Sequence, residues 1–408
     1  MNQTNKDFYK SKDSVLALFS QLPLPEFAGD RQMINNHLKI LSHKYEVHAI
    51  IICVEEPTKE VHDFMRQYTK EYKIFHLNKW NFFINIVKGV LFGKSLQVSL
   101  YYQQDIQDYI DNNIENKKFV FCRTIRTSKY FLKHDIPKFI ALVDSISITY
   151  ERSLKRVDSL FWKMIYLYEY KKLRKDEISV IENYDSAFLI NYQEQQYWEN
   201  KLKNGKVVWL PNGIKEHLFD YNFVDHQYSV KTILFLGKMD YQPNVDAVVW
   251  FIENVFDKLD DDIRFYIVGV NPDKKILSKA EKYKNIIVTG YMEDPYIIMN
   301  SCSLVVSPMQ TGGGVQNKIL EGMAMGRLNL ATTLGAESIY LAENGKHLLI
   351  ADEPQKMAQM INEVCTDPKK FEYLGLNAKE LVSKNYSWAM HGEKMLENIE
   401  SIRRSLKE

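Results

Sequence analysis

The segment Ser307-Pro308-Met309-Gln310-Thr311-Gly312-Gly313-Gly314-Val315-Gln316-Asn317-Lys318-Ile319-Leu320-Glu321 concentrates residue types that do chemistry together. An apolar run at 304–307 reads as a strand, three glycines follow, and a helix is predicted to start near Val315. Glycine lets a backbone approach a ligand closely. A helix start offers unbonded N–H groups and the positive end of its dipole, which suit a diphosphate. Lys318, in the first turn, adds a point cation for phosphate charge. Glu321 lies on the same helix face, where its carboxylate can accept hydrogen bonds from two ribose hydroxyls. Taken singly, these pieces also describe a glycine turn followed by a surface Lys–Glu pair. Their order along strand, loop and helix favours the ligand reading.

A second segment, Leu236-Gly237-Lys238-Met239-Asp240-Tyr241-Gln242-Pro243-Asn244, again joins a strand end to a helix. Gly237 permits close approach, and Lys238 can reach the same diphosphate from the opposite side. Asn244 stands at the expected N-cap of the next helix, so capping alone and ligand contact are both open.

The elements that must position these residues are those of an α/β protein. Short β-rich runs at 15–19, 47–54, 118–122, 139–143 and 187–190 alternate with helical stretches, the first of them over 30–41 with Ile34, Leu38 and Leu41 on one face. Pro211-Asn212-Gly213 is a turn signal, and an aperiodic stretch to residue 229 follows. The alternation then restarts, with strands at 232–236, 265–268, 286–288, 304–307 and 328–331. A helix is marked by Val245, Val248, Val249, Ile252, Val255 and Phe256. The 408 residues therefore read as two doubly wound units, at roughly 100–200 residues per domain. We expect domains over 1–215 (with 386–408) and 216–385. Ligands of such sheets bind beyond the carboxyl ends of the strands. A net charge of +1 provides no global field for nucleic acid. Cys53, Cys122, Cys302 and Cys365 form no CxxC pair, which argues against a zinc site or a disulfide framework and fits a reducing compartment. No apolar run approaches the ~18 residues that would span a membrane, and residues 1–14 contain no apolar signal core. These features predict a cytoplasmic protein.

Several strings resemble glycosyltransferase family 4 of the GT-B fold and, more narrowly, bacterial sugar transferases of exopolysaccharide (PEP-CTERM-type) loci. They are residues 23–31, Asp144-Ser145, Pro211-Asn212-Gly213, 237–246, Val288-Thr289-Gly290-Tyr291-Met292-Glu293-Asp294, 312–325 and Tyr386-Ser387-Trp388. The run Gln316-Asn317-Lys318-Ile319-Leu320-Glu321-Gly322-Met323-Ala324 is the most specific. The resemblance implies two Rossmann-like domains facing a cleft, with a C-terminal helix crossing back to the first. It implies retaining transfer from a UDP- or GDP-sugar without cofactor or divalent metal. Cationic side chains and a helix N-terminus then stabilise the departing diphosphate. Tyr291 and Met292 are expected near the base.

The chain departs from that pattern in two places. Of the two glutamates usual in the family, Glu321 is present and Gly313 stands at the other position, so N–H groups of Gly313 and Gly314 are expected to take over sugar or phosphate contact. The usual Arg and Lys diphosphate pair appears as Lys238 and Asn244, with Lys318 as the compensating cation.

In the first half, the resemblance turns the Gly29-Asp30-Arg31 loop toward the donor sugar; an Asp30 N-cap is the plain alternative. Cys122-Arg123-Thr124 occupies the place of the family's site histidine, and Arg123 reads as a phosphate contact or as a surface arginine. Asp144, after strand 139–143, either positions an acceptor hydroxyl or caps the next segment. Residues 80–92 are rich in Phe, Ile, Val and Leu with Lys79, Lys88 and Lys94 near them, and residues 160–175 are aromatic and then basic; both are consistent with packing in a core or with lying on anionic lipid at the inner membrane face. A saccharide or polyprenyl-linked acceptor would use such contact. A nucleotide-sugar isomerase of the 2-epimerase kind and an inactive sugar-binding scaffold are the rival readings; a dinucleotide oxidoreductase lacks its GxGxxG at Ala28-Gly29-Asp30.

Overall fold

The structure, a computed structural model, describes residues 12–25, 29–77, 84–86, 89, 91, 93–154, 160–228, 231–312 and 314–406. The chain divides into two compact units, Met1–Leu210 with Gly392–Glu408, and Pro211–His391.

The first unit is built on a seven-stranded sheet: β1 (Ser14–Phe19), β2 (Glu46–Cys53), β3 (Glu71–His76), β4 (Val120–Arg123), β5 (Lys138–Val143), β6 (Ser186–Leu189) and β7 (Val207–Trp209). The order is β3-β2-β1-β4-β5-β6-β7, and neighbouring strands run parallel. β1 from Val15 onward and the whole of β4 are buried, and Val15–Phe19 and Val120–Cys122 are apolar, because helices cover both sheet faces. Alternate residues serve opposite cores. Leu16, Leu18, Ile50 and Ile140 pack with Leu173, Val180 and Ile181 of the helix Leu160–Asn183. Val15, Ala17, Phe19 and Ile51 pack with Ile34, Leu38 and Leu41 of the helix Gly29–Lys44, and with Met395 and Ile399.

The second unit has six strands: β8 (Thr232–Leu236), β9 (Arg264–Val268), β10 (Ile286–Gly290), β11 (Leu304–Ser307), β12 (Asn329–Ala331) and β13 (Leu349–Ile350). Their order is β10-β9-β8-β11-β12-β13, with parallel neighbours. Val245, Val248 and Ile252 of the helix Gln242–Asn254 are buried, on the face their spacing predicts.

Three strands escaped the sequence reading. β3 is an edge strand with no fully buried residue, and β7 and β13 are edge strands of 3 and 2 residues, too short to show a strand period. Three helix starts also differ from expectation. Asn244 is no N-cap: the helix begins at Gln242 after Tyr241, with Pro243 in its first turn where a missing N–H costs nothing. Asp30 likewise lies inside its helix, one residue after the start at Gly29. The helix expected near Val315 begins at Asn317, because Gly312 (φ +99°) and Gly314 (φ +85°) keep the preceding chain in the left-handed region.

Candidate functional site

In each parallel sheet the carboxyl ends of the strands share one edge, and the strand order reverses at one point. Such a reversal leaves a crevice where the two flanking loops diverge. In the second unit it falls between β8 and β11, so the two glycine-bearing segments singled out above are neighbours there.

The loop after β11 is tied down: Thr311 Oγ1 bonds Asp246 Oδ2 at 3.0 Å, and Asp246 also accepts from Gln242. A Cβ on Gly312 would stand 3.1 Å from Pro243 Cβ. Gly313 lies outside the described residues, and Val315 is half-buried. Lys318, from the first turn of the helix Asn317–Ala324, is only 8% exposed. Its Nζ donates to Asn244 Oδ1 at 2.7 Å, sits 4.0 Å from the centre of the Phe235 ring and lies 3.7 Å from Met309 Sδ. These three neighbours are uncharged. Burial pushes the Lys318 ammonium down to about 7, against the opposing pull of Glu321. Asn244 Nδ2 in turn donates to the Lys238 carbonyl at 2.9 Å. The close approach that Gly237 allows is to this amide, since a Cβ there would stand 2.7 Å from Asn244 Nδ2. The Lys238 side chain points outward, 62% exposed and 3.3 Å from Asp240.

Glu321 sits one helical turn beyond Lys318. Tyr296 Oη donates to its Oε1 at 3.1 Å. Burial raises the Glu321 carboxyl above its ordinary value, while Lys215, Tyr296 and Lys318 hold it down. Lys215 Nζ stands 5.6 Å from the Tyr296 ring. Asp294 fixes this corner by accepting from Tyr296 N at 3.0 Å and from Tyr221 Oη at 2.8 Å. Tyr291 and Met292 follow β10 after Gly290 (φ +70°), with Tyr291 65% exposed. The sequence reading missed Phe235, Tyr296, Lys215 and the Asn244–Lys318 contact. The Tyr291–Asp294 string leads into the corner that contains Tyr296 and Glu321, but nothing local marked that tyrosine.

The first unit reverses between β1 and β4. Arg123, at the end of β4 and 1% exposed, donates from Nη2 to Asp30 Oδ1 at 2.7 Å; its Nε is buried without a hydrogen-bond partner. The structure thus excludes the surface reading of Arg123. Ser20 and Thr124 hydroxyls meet at 3.2 Å across the same point. Thr124 (φ +67°) and Val143 (φ +73°) are β-branched residues in the left-handed region, so the backbone is strained at the ends of both β4 and β5. Asp144 does not cap the helix Ile146–Leu154. Glu177 takes the Ser147 amide and Glu194 the Ser145 amide, while Asp144 Oδ1 is buried without a hydrogen-bond partner. Burial raises the carboxyls of both Asp144 and Glu194; the charge of Asp30 adds to the rise at Asp144 and that of Asp144 to the rise at Glu194, while Arg123 pulls Asp144 back. Among the described residues, no three His, Cys, Asp or Glu side chains are grouped to hold a metal ion.

The comparisons with known proteins bear on the fold and on the domain that contains these residues. A Klebsiella pneumoniae protein described as an uncharacterized 44.6 kDa protein in the cps region is 22% identical over 388 residues, 91% of this chain and 96% of that protein. The structure of Anabaena Alr3699/HepE in complex with UDP and glucose is similar with a TM-score of 0.67 at 12% identity, covering 95% of this chain and 99% of that one. Sucrose-phosphate synthase from Thermosynechococcus elongatus has a TM-score of 0.68 at 12% identity, covering 96% and 100%. These likenesses show the fold: α/β with two parallel sheets, as in GT-B glycosyltransferases. The family described as Glycosyl transferases group 1 matches residues 230–367, so the stretch that contains Gly237, Asn244, Lys318 and Glu321 is a group 1 glycosyltransferase domain.

Proposed function

We propose that the protein transfers a sugar, with retention of anomeric configuration, from a nucleoside-diphosphate sugar to a glycan or lipid-linked glycan. The observation that carries this reading is the Lys318 ammonium, buried among uncharged partners beside a glycine loop and a helix N-terminus. In the reaction the bond from the anomeric carbon to the diphosphate oxygen breaks, and its electron pair leaves with the diphosphate. The acceptor hydroxyl attacks from the same face, and its proton passes to a diphosphate oxygen. Lys318, Lys238 and the N–H groups of Gly312, Gly313, Gly314 and Val315 stabilise the charge on the leaving group in place of a metal ion. Glu321 holds the ribose, with Tyr291 and Met292 beside the base. Gly29, Asp30, Arg123 and Asp144 serve the transferred sugar and the acceptor.

We favour a UDP-sugar because the HepE structure contains UDP and glucose. The cps-region relative supports a role in bacterial surface polysaccharide: capsule, exopolysaccharide or lipopolysaccharide. Within group 1, the motifs favour family 4 and the transferases of exopolysaccharide loci. We place the work at the inner face of the cell membrane, where polyprenyl-linked acceptors lie. Among the described residues no helix is long and apolar enough to cross a membrane.

The test is a thermal-shift panel of UDP, GDP, CMP, dTDP and ADP without added metal. A ligand at about 100 times its dissociation constant stabilises by about 2.7 kcal/mol. A selective shift with UDP or GDP, followed by glycoside formation from the matching sugar nucleotide, is expected. An epimerised sugar nucleotide instead of a glycoside, or no shift with any nucleotide, would overturn the reading.

A further inference from the structure

The helix Leu160–Asn183 of the first unit is amphipathic in an unusual sense. Its inner face is secured: Leu173, Val180 and Ile181 lie in the core, and Glu169, 2% exposed, accepts the backbone amides of Leu96 and Gln97. Its outer face begins with large apolar side chains left in water. Leu160 is 72% exposed, Phe161 61%, Trp162 50%, Met164 58% and Leu167 51%. An exposed leucine alone says little, but five such residues within two turns of one helix form a patch of the kind that marks a docking surface.

The polarity of that face is equally one-sided. Leu160, Met164, Leu167, Lys171 and Lys175 fall at i, i+4, i+7, i+11 and i+15, a single exposed stripe that is apolar first and cationic after. Lys163 and Lys172 flank it. Among the described residues, Lys163, Lys171, Lys172 and Lys175 form no ion pair, whereas Arg174 on the adjoining face is paired with Glu151 at 2.5 Å. Glu169 is the sole acidic residue between 160 and 175, and it is turned inward. Tyr168 Oη donates to the Gly89 and Lys94 carbonyls at 3.4 and 3.0 Å, which brings Leu91, 76% exposed, beside the same helix.

From this we infer that the outer face of residues 160–175, with Leu91, is a docking surface for a bilayer carrying anionic lipid. Aromatic and aliphatic side chains enter the headgroup boundary while the lysines meet lipid phosphates. The tryptophan suits a boundary that is apolar on one side and wet on the other. A second copy of this chain fits less well, because the same face on a partner brings no exposed acidic side chain from residues 160–175 to the four lysines. The inference rests on the membrane placement proposed above, but it is tested without any transfer reaction.

The experiment is co-sedimentation of the full chain with vesicles of phosphatidylcholine alone, or with about one-third phosphatidylglycerol. Binding is expected only to the anionic vesicles, and it should weaken as salt is raised. Phe161→Ser with Trp162→Ser and Leu167→Ser should reduce that binding by more than about tenfold, and Lys171→Glu with Lys175→Glu by a comparable factor. All five side chains are exposed, so the unfolding temperature and the nucleotide-induced shift should stay at wild-type values. Failure of the wild-type chain to bind anionic vesicles, or undiminished binding by both variants, would overturn the inference. So would a wild-type dimer that the serine variant converts to monomer without any lipid binding. None of these outcomes alters the nucleotide panel, so the two proposals fail separately.

Discussion

The two units place a buried cation at the same topological position, where the strand order reverses, and treat it differently. Arg123 between β1 and β4 is 1% exposed and ion-paired with Asp30 at 2.7 Å. Lys318 between β8 and β11 is 8% exposed and has an amide oxygen, a ring face and a thioether around it. A charge held out of water is costly unless it is compensated. In the first unit a carboxylate of the protein supplies most of that compensation. In the second the folded chain leaves it incomplete, so the ammonium is pushed toward its neutral form. An anionic ligand removes that penalty on arrival. The contrast is the reason we propose the diphosphate site in the second unit.

The sharpest way to break the comparison is Lys318→Met. Loss of a group that stabilises developing leaving-group charge should reduce turnover by about a hundred- to a thousandfold. The pH dependence should disappear with it. With its pKa at about 7 in the folded chain, against an ordinary 10.5, Lys318 is increasingly neutral above pH 7. Diphosphate affinity in the wild type should therefore fall as pH rises through that value, by up to about tenfold per unit, the limit for one linked proton. Over the same window, from about 7 to 10.5, the unfolded chain holds a proton that the folded chain has lost. Stability without ligand should accordingly gain from this group as pH rises. Calorimetric titration of UDP or GDP across this range checks both signs. A Lys318→Met variant with wild-type turnover and slope would remove the lysine from the site.

Glu321→Ala should have the next largest effect, weakening nucleoside-diphosphate binding by about 1.5–3 kcal/mol, the worth of a charge-assisted contact. Unchanged affinity in a folded variant would discard the ribose assignment. The smallest effect sharpens the contrast from the other side. Asp30→Ala leaves Arg123 buried without its carboxylate, but Asp30 is itself 55% exposed and solvent screens the pair. We expect a loss of about 1 kcal/mol in stability, read as a lower unfolding temperature, with nucleoside-diphosphate affinity unchanged. Any deficit in transfer should appear on the acceptor or sugar side. A marked loss of nucleotide affinity would show that both cations serve the diphosphate.

Much of this architecture was legible in the residues. The central strands β1, β8 and β11 are continuous apolar runs because both sheet faces are covered, and covered strands are the ones a hydrophobic pattern finds. The edge strand β3, Glu71-Tyr72-Lys73-Ile74-Phe75-His76, alternates polar and apolar residues without a buried position and went unread. Helix starts were misplaced where backbone conformation overrode periodicity: Gly312 and Gly314 delay the helix to Asn317, and Pro243 allows an earlier start at Gln242.

What the sequence by itself determined is local. It set which stretches become strands or helices, that glycines precede Lys318, and that Lys318 and Glu321 share a helix face. Those properties depend on side-chain period, on φ preference and on neighbours a few residues away. The tertiary structure alone decided what each charge meets. Asn244 and Lys318 are 74 residues apart, Arg123 and Asp30 are 93, and Tyr296 and Glu321 are 25. Their meeting requires the order in which strands join the sheet, which places β8 beside β11 and β1 beside β4. No local pattern encodes that order, because it follows from packing whole elements against one another. The paired arginine and the unpaired lysine are therefore properties of the fold.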